Sequence, residues 1–216
     1  MSLIERFENP SSAERGKPFW AWNGALEKEE LLHQIDVFHQ MGFGGYFCHS
    51  RVGLKTEYLG EEWFELINAC ADRGSELGME TWLYDEDRWP SGCAGGLLTE
   101  NKEYAMKFIR MNQVSAADFQ WNNEILAAFC VELEGHTFWN KRRLQPGESP
   151  SDGVVLFFSI ELMADDGYCN GHPYVDTMSR KATQRFIEMT HEQYKKHCGQ
   201  RLGNVIRVHS VSPLKC

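Results

Sequence analysis

Alternation between strand and helix patterns over the first 104 residues constrains the fold of this chain more than any other feature. Three apolar runs, at 18–23, 45–48 and 79–84, each run into polar residues. Amphipathic stretches at 27–41 and 61–77 separate them, and each ends at a glycine. Strands this apolar are typical of a parallel sheet with helices packed on it. We therefore predict an α/β fold: a partial (β/α)8 TIM-type barrel of about four βα units.

The pattern changes near residue 105. Strand-like runs separated by turn residues follow at 105–113, 124–134, 137–144 and 153–162. We interpret them as an antiparallel β insertion after the third strand, occupying 105–170.

A helical pattern resumes at 179–199, and a last apolar run covers 204–208. These features predict a return helix and a fourth barrel strand. The predicted division is therefore 1–104 for the first three βα units, 105–170 for the insertion and 171–216 for the return segment.

Composition excludes two classes of partner. With 22 basic and 31 acidic side chains the formal net charge is −9, so we expect no nucleic-acid partner. No stretch approaches about 20 consecutive apolar residues, so we expect no membrane span.

Glu5 stands where a secretory signal carries basic residues before an apolar run, which predicts a cytoplasmic protein. The seven cysteines contain no CxxC pair, and we interpret them as reduced thiols.

The densest polar cluster follows the third predicted strand. Asp85, Glu86 and Asp87 repel one another unless they share a positive charge, and Arg88 is the local partner. Barrels keep their working groups at the carboxyl ends of strands, which favours a functional site, with Trp89 able to stack on a sugar ring. A loop-stabilising ion network is the alternative interpretation.

Two further candidates follow the other predicted strands. Asn23 ends the first strand, and His49 and Arg51 follow the second. His49 is either a proton shuttle or a histidine packed in the core. Because parallel strands present their carboxyl ends at one rim, we predict that these three residues line a single cleft with Asp85 and Arg88.

Metal binding has little support in the sequence. His191, Glu192 and His197 lack the HExxH spacing, and two lysines lie close by at 195 and 196. We interpret this stretch as a solvated helix face. No cofactor is predicted, although the sequence leaves a calcium ion open.

With these clusters in place, the chain resembles bacterial glycoside hydrolases related to the α-L-rhamnosidases, over the N-terminal part of their catalytic barrel. The resemblance is carried by Pro18-Phe19-Trp20-Ala21-Trp22-Asn23-Gly24, Met41-Gly42-Phe43-Gly44-Gly45, Cys48-His49-Ser50-Arg51, Tyr58-Leu59-Gly60-Glu61-Glu62-Trp63, Trp82-Leu83-Tyr84-Asp85-Glu86-Asp87-Arg88-Trp89-Pro90-Ser91-Gly92, Tyr174-Val175-Asp176 and Phe186-Ile187-Glu188-Met189-Thr190-His191-Glu192.

The resemblance implies a (β/α)8 barrel that acts on a glycosidic bond. On that basis Asp85 and Asp87 are the candidate catalytic residues, and Asn23, His49, Arg51, Glu86, Arg88 and Trp89 are the candidate substrate contacts. In similar proteins the strand after the return helix ends in an Asp-Glu-Pro type motif, whereas residues 205–216 here contain no acid. We therefore expect a truncated or frame-shifted end, a missing catalytic carboxylate and no hydrolysis by this short chain.

Three functional hypotheses follow. The first is a glycoside hydrolase-like fragment that binds carbohydrate. The second is a non-catalytic carbohydrate-binding protein, or one that assembles with itself through exposed barrel edges. The third is a small metal-dependent hydrolase that uses His49 with Asp85.

Overall fold

The computed structural model describes residues 2–210, apart from the side chains at 168 and 208–210. The helices are α1 (Leu3–Glu8), α2 (Lys28–Gln40), α3 (Glu61–Glu76), α4 (Arg180–Met189) and α5 (His191–Cys198). The strands are β1 (Phe19–Trp22), β2 (Gly45–Ser50), β3 (Glu80–Asp87), β4 (Lys107–Ser115), β5 (Ile125–Glu134), β6 (Thr137–Arg143), β7 (Val154–Leu162) and β8 (Ile206–Ser210). In the predicted tail after Ile206, residues 211–216 lie outside the described residues.

The chain forms two compact units. The first contains the residues up to Tyr104 together with those from Asp165 onward, and the second is Ala105–Ala164. The second unit ends six residues before the predicted boundary at 170, because the segment after Asp165 is bound to the first unit. There, Lys102 forms an ion pair with Asp165 at 2.7 Å, and the Tyr174 hydroxyl donates to the carbonyl of Ser91 at 2.9 Å.

The first unit contains a parallel sheet in the order β1-β2-β3-β8. Phe19 is paired with Phe47, and Ser50 is paired with Asp87. The predicted parallel arrangement of the first three strands is confirmed. The strands β1 and β8 are the edges of this four-stranded sheet among the described residues. A partial barrel and self-association through such edges therefore stay predictions.

One face of this sheet is covered by helices, and strand alternation decides which side chains enter the core. Trp20 and Trp22 alternate with exposed neighbours and are both buried. They join Ile35 of α2 and Trp63 and Ile67 of α3 in one apolar cluster. Burying these large side chains is the main stabilisation of the first unit. The Phe19 side chain on β1 is 53% exposed, and its ring contacts those of Phe47, His49 and Tyr84.

The predicted return helix is two helices. Thr190 separates α4 from α5 with φ −113° and ψ −77°. Its hydroxyl donates to the carbonyl of Phe186 at 2.7 Å, so the side chain bonds the backbone at the break. The helical periodicity on either side of Thr190 does not reveal this break.

The second unit is an antiparallel sheet in the order β4-β7-β5-β6. The predicted antiparallel character of the insertion is confirmed. Ala128, Leu144 and Val155 are buried in its own apolar cluster with Phe119. Within residues 2–210, no helix has the length and apolar character needed to cross a membrane.

Candidate functional site

A polar pocket lies where β2 and β3 end. Its volume is about 300 Å³, at the lower end of the range for small-molecule sites. Its polar lining consists of Arg51, Lys55, Thr56, Glu57, Tyr58, Asp87, Arg88 and Asn170. A larger cavity of about 440 Å³ is lined by Gly78 and Glu80, where β3 begins. Sites in βα proteins form at the carboxyl ends of strands, so the smaller pocket is the candidate site.

Asp87 is a fixed acceptor in the pocket wall. The Ser50 hydroxyl donates to Oδ1. The side-chain amide of Asn170 donates to Oδ2 at 2.8 Å, and Nε of Arg88 lies 3.9 Å from the same oxygen. Because Ser50 and Asp87 are paired in the sheet, the strand register itself positions this carboxyl group.

Arg88 has a backbone conformation that residues other than glycine rarely adopt, with φ +71°. Its N–H donates to the carbonyl of Ser50 at 3.2 Å, and its Nη1 donates to the carbonyl of Gly167 at 2.9 Å. The surrounding bonds therefore hold a costly conformation that places a guanidinium group in the pocket lining. Conformations of this kind cluster at functional sites.

An aromatic side chain forms another part of the lining. The Tyr58 ring packs edge-on against Trp63, with ring centroids 5.2 Å apart. Burial raises the pKa of the Tyr58 hydroxyl, and the nearby acidic side chains raise it further. Arg51, Lys55 and Glu57 are exposed, so the pocket offers charged donors and acceptors beside this ring.

Glu86 lies in a cradle of backbone N–H groups instead of the pocket lining. Its Oε2 accepts from the N–H groups of residues 92–94 at 2.8–2.9 Å, and its Oε1 accepts from those of Asp87 and Gly95. Burial raises the pKa of this carboxyl, while the backbone donors lower it. Both oxygens accept hydrogen bonds from the backbone, mainly from residues 92–95. Glu86 therefore holds in place the loop that contributes Gly95 to the pocket wall.

Asp85 is fully buried and ties β3 to other elements. The Ser91 hydroxyl donates to Oδ1 at 2.6 Å, and Oδ2 lies 3.8 Å from Nε2 of His191 on α5. Burial raises the pKa of Asp85, and Ser91 and His191 oppose that rise. A raised pKa suits a general acid, but Asp85 does not belong to the lining of the pocket.

His49 is packed between aromatic rings. Its ring centroid lies 4.3 Å from that of Phe19 and 4.1 Å from that of Tyr84. Both ring nitrogens are buried and have no hydrogen-bond partner among the groups that the structure describes. Burial, together with the charge of Arg51, lowers the pKa of His49 to about 3, so the ring is neutral near pH 7.

We expect His49→Phe to remove part of the acid sensitivity of the fold. The folded chain keeps the imidazole neutral down to about pH 3, whereas in the unfolded chain the histidine binds a proton near pH 6.5. Stability from this site is therefore present above about pH 6.5 and is lost as the pH falls towards 3, by about 1.4 kcal/mol per pH unit.

Urea unfolding between about pH 7 and pH 4 measures this slope. The exposed histidine variant His33→Phe is the matched control, and it should keep the slope of the parent chain. Equal slopes for His49→Phe and the parent would contradict a neutral, buried His49.

The structure brings together some of the predicted site residues and separates others. Arg51, Asp87 and Arg88 line one pocket. Asp85, Glu86 and His49 are buried in contacts of their own, Asn23 is exposed outside this lining, and Trp89 is 42% exposed outside it. His49 and Asp85 contact different side chains, which are Phe19 and Tyr84 for the first and Ser91 and His191 for the second. Within residues 2–210, no three His, Cys, Asp or Glu side chains converge to hold a metal ion.

Several contributors were missed by sequence reasoning. Asn170 comes from a loop that follows the β insertion, and no local pattern relates it to Asp87. Tyr58 and Lys55 lie between β2 and α3, and although Tyr58 begins one of the stretches that carry the resemblance, neither residue is among the predicted site residues. His191 was interpreted as part of a solvated helix face, although its ring lies beside Asp85.

The fold and the pocket define a mixed α/β protein with a small hydrogen-bonding site at the carboxyl edge of its parallel sheet. No family profile matches the sequence, and no curated protein matches it. Among solved structures, the chain is similar to a rhamnosidase from Novosphingobium sp. PP1Y, with 21% identity and a TM-score of 0.43. The similarity covers 53% of this chain and 11% of the rhamnosidase, so this chain spans about a tenth of that enzyme.

Proposed function

We propose that this chain binds a single carbohydrate ring in the polar pocket beside Asp87. The observation that carries the proposal is the fixed position of this carboxyl group, held by Ser50 and Asn170 in a pocket that also contains guanidinium groups. Sugar hydroxyls both donate and accept hydrogen bonds, so they need acceptors and donors side by side. The volume of about 300 Å³ favours one ring over an extended chain.

The geometry supports binding better than hydrolysis. Hydrolysis of a glycosidic bond uses two carboxyl groups that flank the scissile bond, one of them protonated. Asp87 lines the pocket, but the second predicted acid, Asp85, is buried against Ser91 and His191. We therefore propose binding without turnover, and release of the aryl group from an aryl rhamnoside by this chain would contradict that part.

The probes follow from the chemistry of the pocket and from the sequence resemblance. L-rhamnose and D-glucose are neutral single rings that differ in the arrangement of their hydroxyls. Inorganic phosphate tests the competing explanation, in which Arg51, Lys55 and Arg88 attract any anion.

We expect a neutral sugar to bind with a Kd of about 1 mM, and Asp87→Asn to weaken that binding by about 10-fold to 100-fold. The substitution keeps the size of the side chain and removes the charged acceptor. Chemical-shift titration of ¹⁵N-labelled chain locates the binding and measures the Kd. Asp152→Asn, at an exposed position in the second unit, is the matched control and should not alter the Kd.

Two results would overturn the proposal. One is the absence of sugar-dependent shifts at residues 51–58 and 87–97 at concentrations well above about 1 mM. The other is binding of phosphate with no binding of either sugar, which would identify the pocket as an anion site.

A further inference from the structure

Two buried thiols lie against each other next to the pocket wall. The Sγ atoms of Cys93 and Cys169 are 3.0 Å apart, although the residues are 76 positions apart in the sequence. Both side chains are nearly inaccessible, with exposed fractions of 1% and 2%. The separation exceeds a covalent S–S bond by about 1 Å.

The backbones that carry the two thiols are also in contact. The Asn170 side-chain amide donates to the carbonyl of Gly95 at 2.8 Å. A Cβ atom on Gly96 would overlap the carbonyl oxygen of Cys169, so the two segments approach more closely than most side chains would allow. The segments are therefore held at a distance from which the sulfur atoms can bond without a large backbone movement.

We propose that Cys93 and Cys169 are a modification site: a reversible dithiol pair that is oxidised by small-molecule disulfides such as glutathione disulfide. When a local opening of the loop after β3 exposes one of the two thiols, its thiolate attacks a sulfur of glutathione disulfide, forms a mixed disulfide and releases one glutathione. The second cysteine then attacks the protein sulfur of that mixed disulfide and releases the second glutathione. The protein loses two electrons and two protons, and both are gained by the two glutathione thiols.

The bond would join two segments that contribute to the pocket. Gly95 and Leu97 follow Cys93, Asn170 follows Cys169, and all three line the pocket. Oxidation therefore locks part of the pocket wall without placing a sulfur atom among the residues that line it. The modification itself does not depend on the proposed sugar binding, because it is detected by mass.

The test incubates the folded full chain with glutathione disulfide, alkylates the remaining thiols after denaturation and maps the peptides by mass spectrometry. We expect a Cys93–Cys169 link that is reversed by dithiothreitol. The link should persist in Cys130→Ser, where a cysteine of the second unit is removed, and should be absent from Cys93→Ser and Cys169→Ser. Closing a loop of this length should also raise Tm by at least about 5 °C.

The parent chain alone can overturn the proposal, so the outcome does not depend on whether a serine variant folds. Folded chain that forms no Cys93–Cys169 link would contradict it, as would a link that appears only after unfolding in urea. An unchanged Tm in a sample shown to be fully linked would contradict the proposed locking of the two segments.

Discussion

Replacing Glu86 with glutamine is expected to lower the free energy of unfolding by about 3 kcal/mol or more. The carboxyl group accepts five backbone N–H groups, three on Oε2 and two on Oε1. A glutamine NH₂ group cannot accept hydrogen bonds. In either orientation of the amide, it therefore faces backbone N–H groups that are themselves donors. At least two buried N–H groups then lose their partner. Urea unfolding at about pH 7 measures the loss.

The control for this prediction is Glu65→Gln, at an exposed position of α3. It makes the same chemical change in contact with water and should alter stability by less than about 0.5 kcal/mol. A Glu86→Gln chain as stable as this control would show that the loop does not depend on the carboxyl group. The role we assign to Glu86 in the pocket wall would then be wrong.

Replacing Trp63 with alanine is expected to cost about 4 kcal/mol. The side chain is fully buried, and its ring packs edge-on against Trp22 of β1 and Tyr58 of the pocket wall at centroid distances of 5.1 and 5.2 Å. Its Nε1 donates to the hydroxyl of Tyr194 on α5 at 3.1 Å. Truncation therefore removes packing between three parts of the first unit at once, and it leaves a cavity that they cannot all fill.

Tyr194→Phe separates the contribution of packing from that of the hydrogen bond. It keeps the ring and removes the hydroxyl, which accepts from Trp63 Nε1 at 3.1 Å and donates to the carbonyl of Tyr84 at 3.4 Å, so we expect a loss of about 1–2 kcal/mol. Thermal and urea unfolding of both variants give the two values. If Trp63→Ala lowers the free energy of unfolding by no more than Tyr194→Phe does, the packing of Trp63 against Trp22 and Tyr58 is not a main stabilising contact of the first unit. At a temperature where Trp63→Ala is still folded, we expect this variant to bind sugar less tightly, because Tyr58 loses the ring against which it packs and can move.

The acidic cluster of Asp85, Glu86 and Asp87 shows what local sequence patterns did and did not determine. The sequence predicts a strand at 79–84 with the cluster directly after it, whereas β3 runs from Glu80 to Asp87 and contains all three acids. Asp85, Glu86 and Asp87 nevertheless have three different environments, formed by Ser91 and His191, by the 92–95 backbone, and by Ser50 with Asn170. Ser91 and the 92–95 backbone lie close to the acids in sequence, whereas Ser50, Asn170 and His191 are distant. The alternation of an extended strand indicated that the three acids diverge, but it could not assign a role to each.

The sequence by itself determined the order of the elements from β1 to β3, the parallel direction of β1, β2 and β3, and the antiparallel character of the insertion. These properties follow from local periodicity, helix-ending glycines and the general preference for parallel strands in βα units, which are encoded over short stretches of chain. The sequence also predicted that Arg51 and Arg88 face one cleft, but only the tertiary structure decided that Asp87 and Asn170 join them there, that Glu86 holds a loop, and that Cys93 meets Cys169. The reason is physical: burial and hydrogen-bond partners depend on which distant segments pack together, and neither spacing nor composition contains that information.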